Sequence, residues 1–218
     1  HLIVVVAESV RGDVLDAKVD GRFVAPTLRE LADSGSRGRH FFSHSGFTTS
    51  SLKALFGADE GVRRHLDGSL FEVLQRSGYQ VAVFSGQNEM FGGVEAAVHS
   101  RTPEGLFFDA RDAAGDRLFL STAPGSMALS NDRVVDEFAR RSPALDWRRP
   151  VFGYLNLQAA HFPYGHAGMP LSVIKSPIDR RALHSGNPDL VRLAYLNAVA
   201  YTDASVARLV QHLKTRGQ

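Results

Sequence analysis

The chain has 218 residues, 44% of them hydrophobic and 22% charged, with a formal net charge of +2 and no cysteine. That length and balance fit one globular domain with a substantial core and exclude a disordered segment. The missing cysteine excludes disulfides, thiol catalysis and thiolate metal ligands, so metal chemistry must use His, Asp, Glu or hydroxyl groups.

Taken in chain order, LIVVV at residues 2 to 6 is a continuous β-branched run suited to a central parallel strand buried on both faces. It ends in Ala7-Glu8-Ser9, which places polar groups where open α/β sheets hold their ligands. APTLRELADSG reads as a helix with Pro26 near its start and Gly35 at its end. HFFSH is a candidate second strand, SLKALFG and SLFEVLQRSG are short helices, and YQVAVFSG is another buried strand. SNDRVVDEFARR begins with a helix cap, PVFGYLNLQ is a strand, and residues 189 to 215 form a long helix. On that helix Val206, Leu209, Val210 and Leu213 share one face. The stretch from Gly165 to Pro188 reads as a surface excursion near the site.

Alternating strands and helices predict a three-layer α/β/α sandwich on a mainly parallel sheet, with residues 1–218 as a single domain. The arginine doublets Arg37/Arg39, Arg63/Arg64, Arg140/Arg141 and Arg148/Arg149 are scattered. They read as solvated surface and predict no nucleic-acid partner. No run approaches the ~18 apolar residues of a membrane span, and the opening lacks the flank and cleavage site of a signal peptide. Because the chain starts inside a strand without Met, it reads as a domain of a longer parent whose other segments could carry membrane helices.

Three positions carry the candidate chemistry. Glu8, directly after an apolar strand, needs a cation or strong hydrogen bonds, so it is either a cap or a hard-metal ligand. Arg11 and Asp13 organise the turn that follows. Thr48 sits in SHSGFTTSSLKALFG at or just before a helix N-terminus, where it is either a simple N-cap or a hydroxyl nucleophile. His161, just after a strand and before Phe-Pro-Tyr, is either hydrogen-bonded packing or a phosphate-binding or proton-transferring group. His40, His44 and His166 are weaker candidates, and His65, His99, His184 and His212 read as surface.

Together these segments resemble the alkaline-phosphatase and sulfatase superfamily, in the branch of lipoteichoic acid synthases and phosphoethanolamine transferases. VVVAESVRGD resembles the strand whose glutamate binds metal, which maps to Glu8. SGFTTSSLKALFG resembles the nucleophile segment, which maps to Thr48, with Thr49 as the fallback. AAHFPY resembles the substrate-pocket histidine motif, which maps to His161. YLNAVAYTDASVARLVQHLKTRG resembles the long helix before a final metal-binding strand. The family continues there into Asp-His-Gly, whereas this chain stops at Gln218, so the resemblance implies an alkaline-phosphatase-like domain truncated before that strand.

The resemblance implies phosphoester transfer or hydrolysis through a covalent phosphothreonine, on a phospholipid headgroup such as phosphoglycerol or phosphoethanolamine. It implies one divalent ion, zinc or manganese with magnesium as a further fit, bound by Glu8 and Thr48. Gln87 and Asn88, in FSGQNEMFGG, stand where headgroup contacts are expected. The implied location is the outer face of a bacterial cytoplasmic membrane, reached through parent segments outside this chain. The alternatives are a non-catalytic relative that binds lipid or protein, and a sulfate-ester hydrolase. The latter is disfavoured because the chain has no Cys/Ser-x-Pro-x-Arg context, with no proline between Pro26 and Pro103.

Overall fold

The computed structural model describes residues 1–38, 40–43, 45–57 and 68–215. In chain order the regular elements are β1 (Leu2–Ala7), β2 (Lys18–Val19), β3 (Arg22–Phe23), α1 (Pro26–Ser34), α2 (Thr48–Gly57), α3 (Leu70–Arg76), β4 (Gln80–Ser85), α4 (Val94–Val98), β5 (Leu106–Phe108), α5 (Asn131–Arg141), β6 (Val151–Leu157) and α6 (Pro188–Thr215), with short 3-10 turns between them. They fall into two compact units, each drawn from separate stretches of chain. The first holds His1–Val6 and Phe42–Asn156, and the second holds Ala7–Phe41 and the chain from Leu157 onward.

The first unit is built on a four-stranded sheet of order β1-β6-β4-β5. Strand β4 pairs in parallel with β5, from Ala82↔Leu106 to Phe84↔Phe108, and with β6, from Gln80↔Val151 to Ser85↔Asn156. Every residue of β6 is buried, as a parallel strand covered on both faces requires. Successive side chains point to opposite faces. Val81, Val83, Phe152 and Tyr154 therefore meet Leu52 and Phe56 of α2, Phe71 of α3, and Val94 and Val98 of α4. Phe56 sets its ring 4.9 Å from Phe71 and 4.8 Å from Tyr154. On the other face Phe84 lies 5.4 Å from Phe138 of α5. The result is the helix–sheet–helix layering that the sequence predicts.

Helix starts follow local chemistry. Ser69 and Glu72 form a reciprocal capping box for α3, and Ser130 Oγ accepts the Arg133 N–H at the start of α5 at 3.1 Å. In the second unit Ala25 gives α1 no side-chain cap. The buried Asp203 of α6 substitutes for it, accepting the N–H groups of Thr27 at 3.1 Å and Leu28 at 2.7 Å. The β2–β3 hairpin turns at Asp20-Gly21, both with positive φ (49° and 76°), a pairing that suits a two-residue turn. On α6, Val206 and Leu209 of the predicted apolar face are buried.

Three expectations need correction. LIVVV forms β1, but its only sheet neighbour among the described residues is β6, so it is an edge strand and half-buried rather than central. HFFSH forms no strand over its described residues: Phe41 and Phe42 are 91% and 82% exposed, with no ladder partner to override the loop. His44 lies outside the described residues, as do Arg39, Arg63, Arg64 and His65. The Arg140/Arg141 doublet is not merely solvated. With Arg133 it clamps Glu137, whose side chain is only 2% exposed.

Burial alone would push the Glu137 carboxyl up, but the guanidiniums of Arg140, Arg133 and Arg141 outweigh it and hold it at about 2. Arg133 Nη1 donates to Oε2 at 2.6 Å, and Arg141 Nη1 also donates to the Phe107 carbonyl of β5 at 3.1 Å, so the clamp ties α5 to the sheet. Removing the charge leaves the half-buried Arg133 and Arg141, and the exposed Arg140, without their shared carboxylate. Glu137→Gln is expected to lower unfolding free energy at neutral pH by about 3 kcal/mol in chemical denaturation. The ion cluster stabilises fully above the ordinary carboxyl value of 4.5 and loses its effect as pH falls toward about 2, so the difference between wild type and variant should shrink across that window. Equal stability at pH 7 would refute the clamp.

Candidate functional site

In the second unit the chain leaves β1 through Glu8 and leaves β6 through Gln158. The Glu8 N–H donates to the Leu157 carbonyl at 3.0 Å, and Gln158 Nε2 donates to Glu8 Oε2 at 3.1 Å. Gln158 also accepts the His161 N–H through its own carbonyl at 3.0 Å. One glutamine thus ties the carboxylate of Glu8 to the turn that carries His161. Sequence reading passed over it, although it stands three residues before His161.

The turn after Glu8 is held from α6. Ser9 adopts φ 60°, a left-handed conformation unfavourable for a non-glycine residue. The Tyr195 hydroxyl bridges that turn, donating to the Ser9 carbonyl at 2.9 Å and accepting the Arg11 N–H at 2.8 Å. Burial pushes the Tyr195 phenol above its ordinary value, against the Arg11 amide that favours the phenolate, so the hydroxyl keeps the proton it donates. Arg11 and Asp13 pair through two contacts, at 2.9 and 3.0 Å, and organise the turn as the sequence suggested.

His161 is exposed, and its Nδ1 lies 2.9 Å from the Phe162 carbonyl. A carbonyl only accepts, so Nδ1 carries the proton, and in the neutral ring Nε2 presents its lone pair. His166 repeats the pattern with the Ala167 carbonyl at 2.8 Å, but its Nε2 is buried without a partner in the structure. His99 pairs with Glu72 at 2.9 Å, and His184 Nδ1 accepts the Gly186 N–H at 3.1 Å. Both serve local structure.

Thr48 belongs to the first unit and is the first residue of α2. The Phe47 carbonyl accepts the Ser51 N–H at 3.0 Å, so Phe47 occupies the cap position and Thr48 the first helical one. The simple N-cap reading of Thr48 therefore does not hold. The entering loop is braced by serines: Ser51 Oγ donates to the Ser45 carbonyl at 3.1 Å and shares a hydrogen bond with Ser43 Oγ at 2.9 Å. Thr49 faces Gly92, which adopts φ 59°. A Cβ at Gly92 would come within 2.4 Å of Thr49 Cγ2, so that side chain is packed against the Gly92 backbone.

Gln87 and Asn88 are buried at the C-terminal end of β4. Gln87 Nε2 donates to Glu89 at 3.3 Å, and Asn88 Oδ1 accepts the Met90 N–H at 2.9 Å. These amides therefore hold the loop together internally. Glu89, in the loop after β4, is a buried carboxyl that sequence reading missed. It is fully buried, bonded through Oε1 to Ser85, Gln87 and Asn156, while its Oε2 has no partner in the structure. Burial raises its carboxyl, against the hydrogen bonds from Ser85, Asn156 and Gln87 that favour the charge, so Glu89 resists ionisation.

Among the described residues, no three His, Asp or Glu side chains gather to hold a metal ion. A carboxylate and a threonine hydroxyl are too few oxygen ligands for a tightly held catalytic zinc. These residues therefore do not by themselves fit the divalent ion that the resemblance implies. Nor is any helix among them long and apolar enough to cross a membrane.

The role of Tyr195 as a clamp is directly measurable. In Tyr195→Phe the Arg11 amide loses its acceptor, and its hydrogen exchange should accelerate by about tenfold or more, with about 1 kcal/mol lost from stability. Unchanged protection at Arg11 would remove Tyr195 from the support of this turn.

The sulfatase family model matches residues 1–218. No curated protein matches the chain. Among solved structures, the lipoteichoic acid synthase LtaP from Listeria monocytogenes is similar at 18% identity and a TM-score of 0.72, over 99% of this chain and 52% of that one. A protein of the alkaline phosphatase superfamily from Vibrio parahaemolyticus is similar at 17% identity and a TM-score of 0.61, over 98% and 50%. A structure of Ps i-CgsB in complex with k-i-k-neocarrahexaose is similar at 16% identity and a TM-score of 0.60, over 100% and 55%. At these identities the likeness is one of fold, and the chain spans about half the length of those structures. With its parallel sheet layered between helices and a family match over its full length, the chain belongs to the sulfatase family.

Proposed function

We propose that this chain transfers or hydrolyses a phosphoester through a covalent phosphothreonine at Thr48. The observation that carries the reading is the place of Thr48 at the first residue of α2, the positive end of the helix dipole, which favours a phosphoryl anion. Thr49, packed on Gly92, is the weaker nucleophile. Thr48 Oγ forms a bond to phosphorus as the bond to the donor alcohol breaks, and the departing oxygen takes up the threonine proton. An acceptor hydroxyl, or water, then attacks the phosphothreonine, the bond from phosphorus to Thr48 Oγ breaks, and Thr48 takes up the proton that the acceptor loses. The α2 amides stabilise the charge that develops on the phosphoryl oxygens.

The superfamily is generally metal-dependent. Glu8 would supply one carboxylate to zinc, manganese or magnesium, and the ligands that complete the set would come from outside the described residues. The substrate we propose is a phospholipid headgroup, phosphoglycerol or phosphoethanolamine, at the outer face of a bacterial cytoplasmic membrane. Membrane attachment would come through segments outside these residues, with no nucleic-acid partner. Support comes from the family match and from the fold shared with a lipoteichoic acid synthase. Sulfate-ester hydrolysis ranks lower because the nucleophile segment offers threonines and no Cys/Ser-x-Pro-x-Arg context.

A second reading, a non-catalytic relative that binds lipid or protein, is favoured by the lack of a three-ligand metal cluster among the described residues. Intact-mass spectrometry and phosphopeptide mapping separate the two. The protein is incubated with mixed bacterial phospholipids and Mn²⁺ or Zn²⁺, with Thr48→Ala as control. A mass addition on Thr48 that is absent from the variant is the expected result. A folded protein with neither adduct nor lipid turnover would favour the binding relative.

A further inference from the structure

The buried Glu89 carboxyl stands at the base of a loop that runs from the sheet to the start of α2. Its Oε1 accepts hydrogen bonds from Ser85 of β4, from Gln87 at 3.3 Å and from Asn156 of β6 at 3.4 Å, while Oε2 is buried with no partner in the structure. Donors fill Oε1, so a proton on Glu89 belongs on Oε2. Among the described residues no cation pairs with this carboxyl. Asp109, itself fully buried, accepts the Glu89 N–H at 3.0 Å and brings a second carboxylate, and the Arg111 guanidinium beside it is shared between Asp109 and Glu95. Glu95, whose N–H donates to the Glu89 carbonyl at 2.8 Å, is also paired with Arg101. A charge on Glu89 would therefore be buried beside a like charge with no counterion of its own, a costly setting for a carboxylate.

The same loop touches the helix that carries Thr48. Met90 and Phe91 are exposed at its tip, and Gly92 and Gly93 turn it back with φ 59° and 72°, a conformation open to glycine at little cost. The Gly92 backbone then packs on Thr49, the neighbour of Thr48 in α2. Two adjacent glycines leave the loop free to quit that contact once its inner end is unseated. We propose that Glu89 is a positioning residue whose neutral carboxyl seats the 86–93 loop against the start of α2, and whose loss of a proton to solvent releases Gly92 from Thr49. Burial holds the carboxyl above its ordinary value of 4.5, so the seated form outlasts that pH and is lost as pH rises through the Glu89 value. The consequence for turnover rests on the reading of Thr48 as nucleophile, whereas the coupling of Glu89 to Thr49 does not.

Carbon-detected NMR of the glutamate carboxyls, with Glu89→Gln to assign the signal, and amide hydrogen exchange test the coupling on the protein alone. Glu89 should titrate above 4.5, and the Thr49 methyl and Gly92 amide resonances should shift with the same midpoint. In Glu89→Gln, which keeps the neutral shape, both resonances should stay at the wild-type low-pH position. The Phe91 and Gly93 amides donate to the Asn88 and Met90 carbonyls at 2.9 Å. Their exchange should be equal in the two proteins below the midpoint and about tenfold or more faster in wild type above it. Ser85→Ala removes a donor that favours the charge and should move the midpoint upward, which gives a second test if Glu89→Gln does not fold. Thr48→Ala should leave the midpoint unchanged, so failure of the nucleophile assignment and failure of this coupling give different results. A Glu89 that titrates at the ordinary value, a Thr49 methyl indifferent to the Glu89 midpoint, or equal exchange in both proteins above it would each overturn the proposal.

Discussion

The parallel pairing of β4 with β6 is the constraint from which the first unit grows. Six residue pairs in register, from Gln80↔Val151 to Ser85↔Asn156, put two apolar strands side by side. Two strands with apolar side chains on both faces must be covered by helices above and below, because either face left open would expose those side chains to water. The aromatic cluster of Phe56, Phe71 and Tyr154 closes one face, and Phe84 on Phe138 closes the other. Parallel pairing also brings the strand ends together at one edge, where Ser85, Asn156 and Asp109 surround the Glu89 loop: Ser85 and Asn156 bond its carboxyl, and Asp109 accepts its N–H.

Charge is handled in opposite ways within this unit. Glu137 is buried with three arginines around it and stays ionised to low pH, so it ties α5 to the sheet through Arg141 and the Phe107 carbonyl. Glu89 is buried without a cation, and the hydrogen bonds from Ser85, Asn156 and Gln87 do not outweigh its desolvation. The contrast follows from what each carboxyl meets, since both are almost entirely removed from solvent.

In the second unit α6 acts as a framework. Asp203 caps α1, Tyr195 bridges the Ser9 turn, and Asn197 Oδ1 accepts the N–H groups of Ser172 and Val173, which anchors the loop that follows Gly165. A single long helix thus fixes three irregular segments, including the turn that carries Glu8. Irregular backbone needs such partners because each unpaired buried amide costs about 1–3 kcal/mol.

The sequence by itself determined what depends on neighbours a few residues apart. The strand before Glu8, the helix that starts at Thr48, the cap of α5 and the length of α6 all follow from periodicity, turn residues and capping chemistry. The Asp20-Gly21 turn was equally local and could have been read from its residues. Only the tertiary structure decided the edge position of β1, because strand order depends on which distant segment supplies the next ladder. It also decided the partners of Glu8, Ser9 and α1, which lie 150, 186 and 175 residues away in Gln158, Tyr195 and Asp203. No periodicity encodes such pairings, since a tyrosine or aspartate on a helix face looks the same in sequence whether it meets water or holds a distant turn.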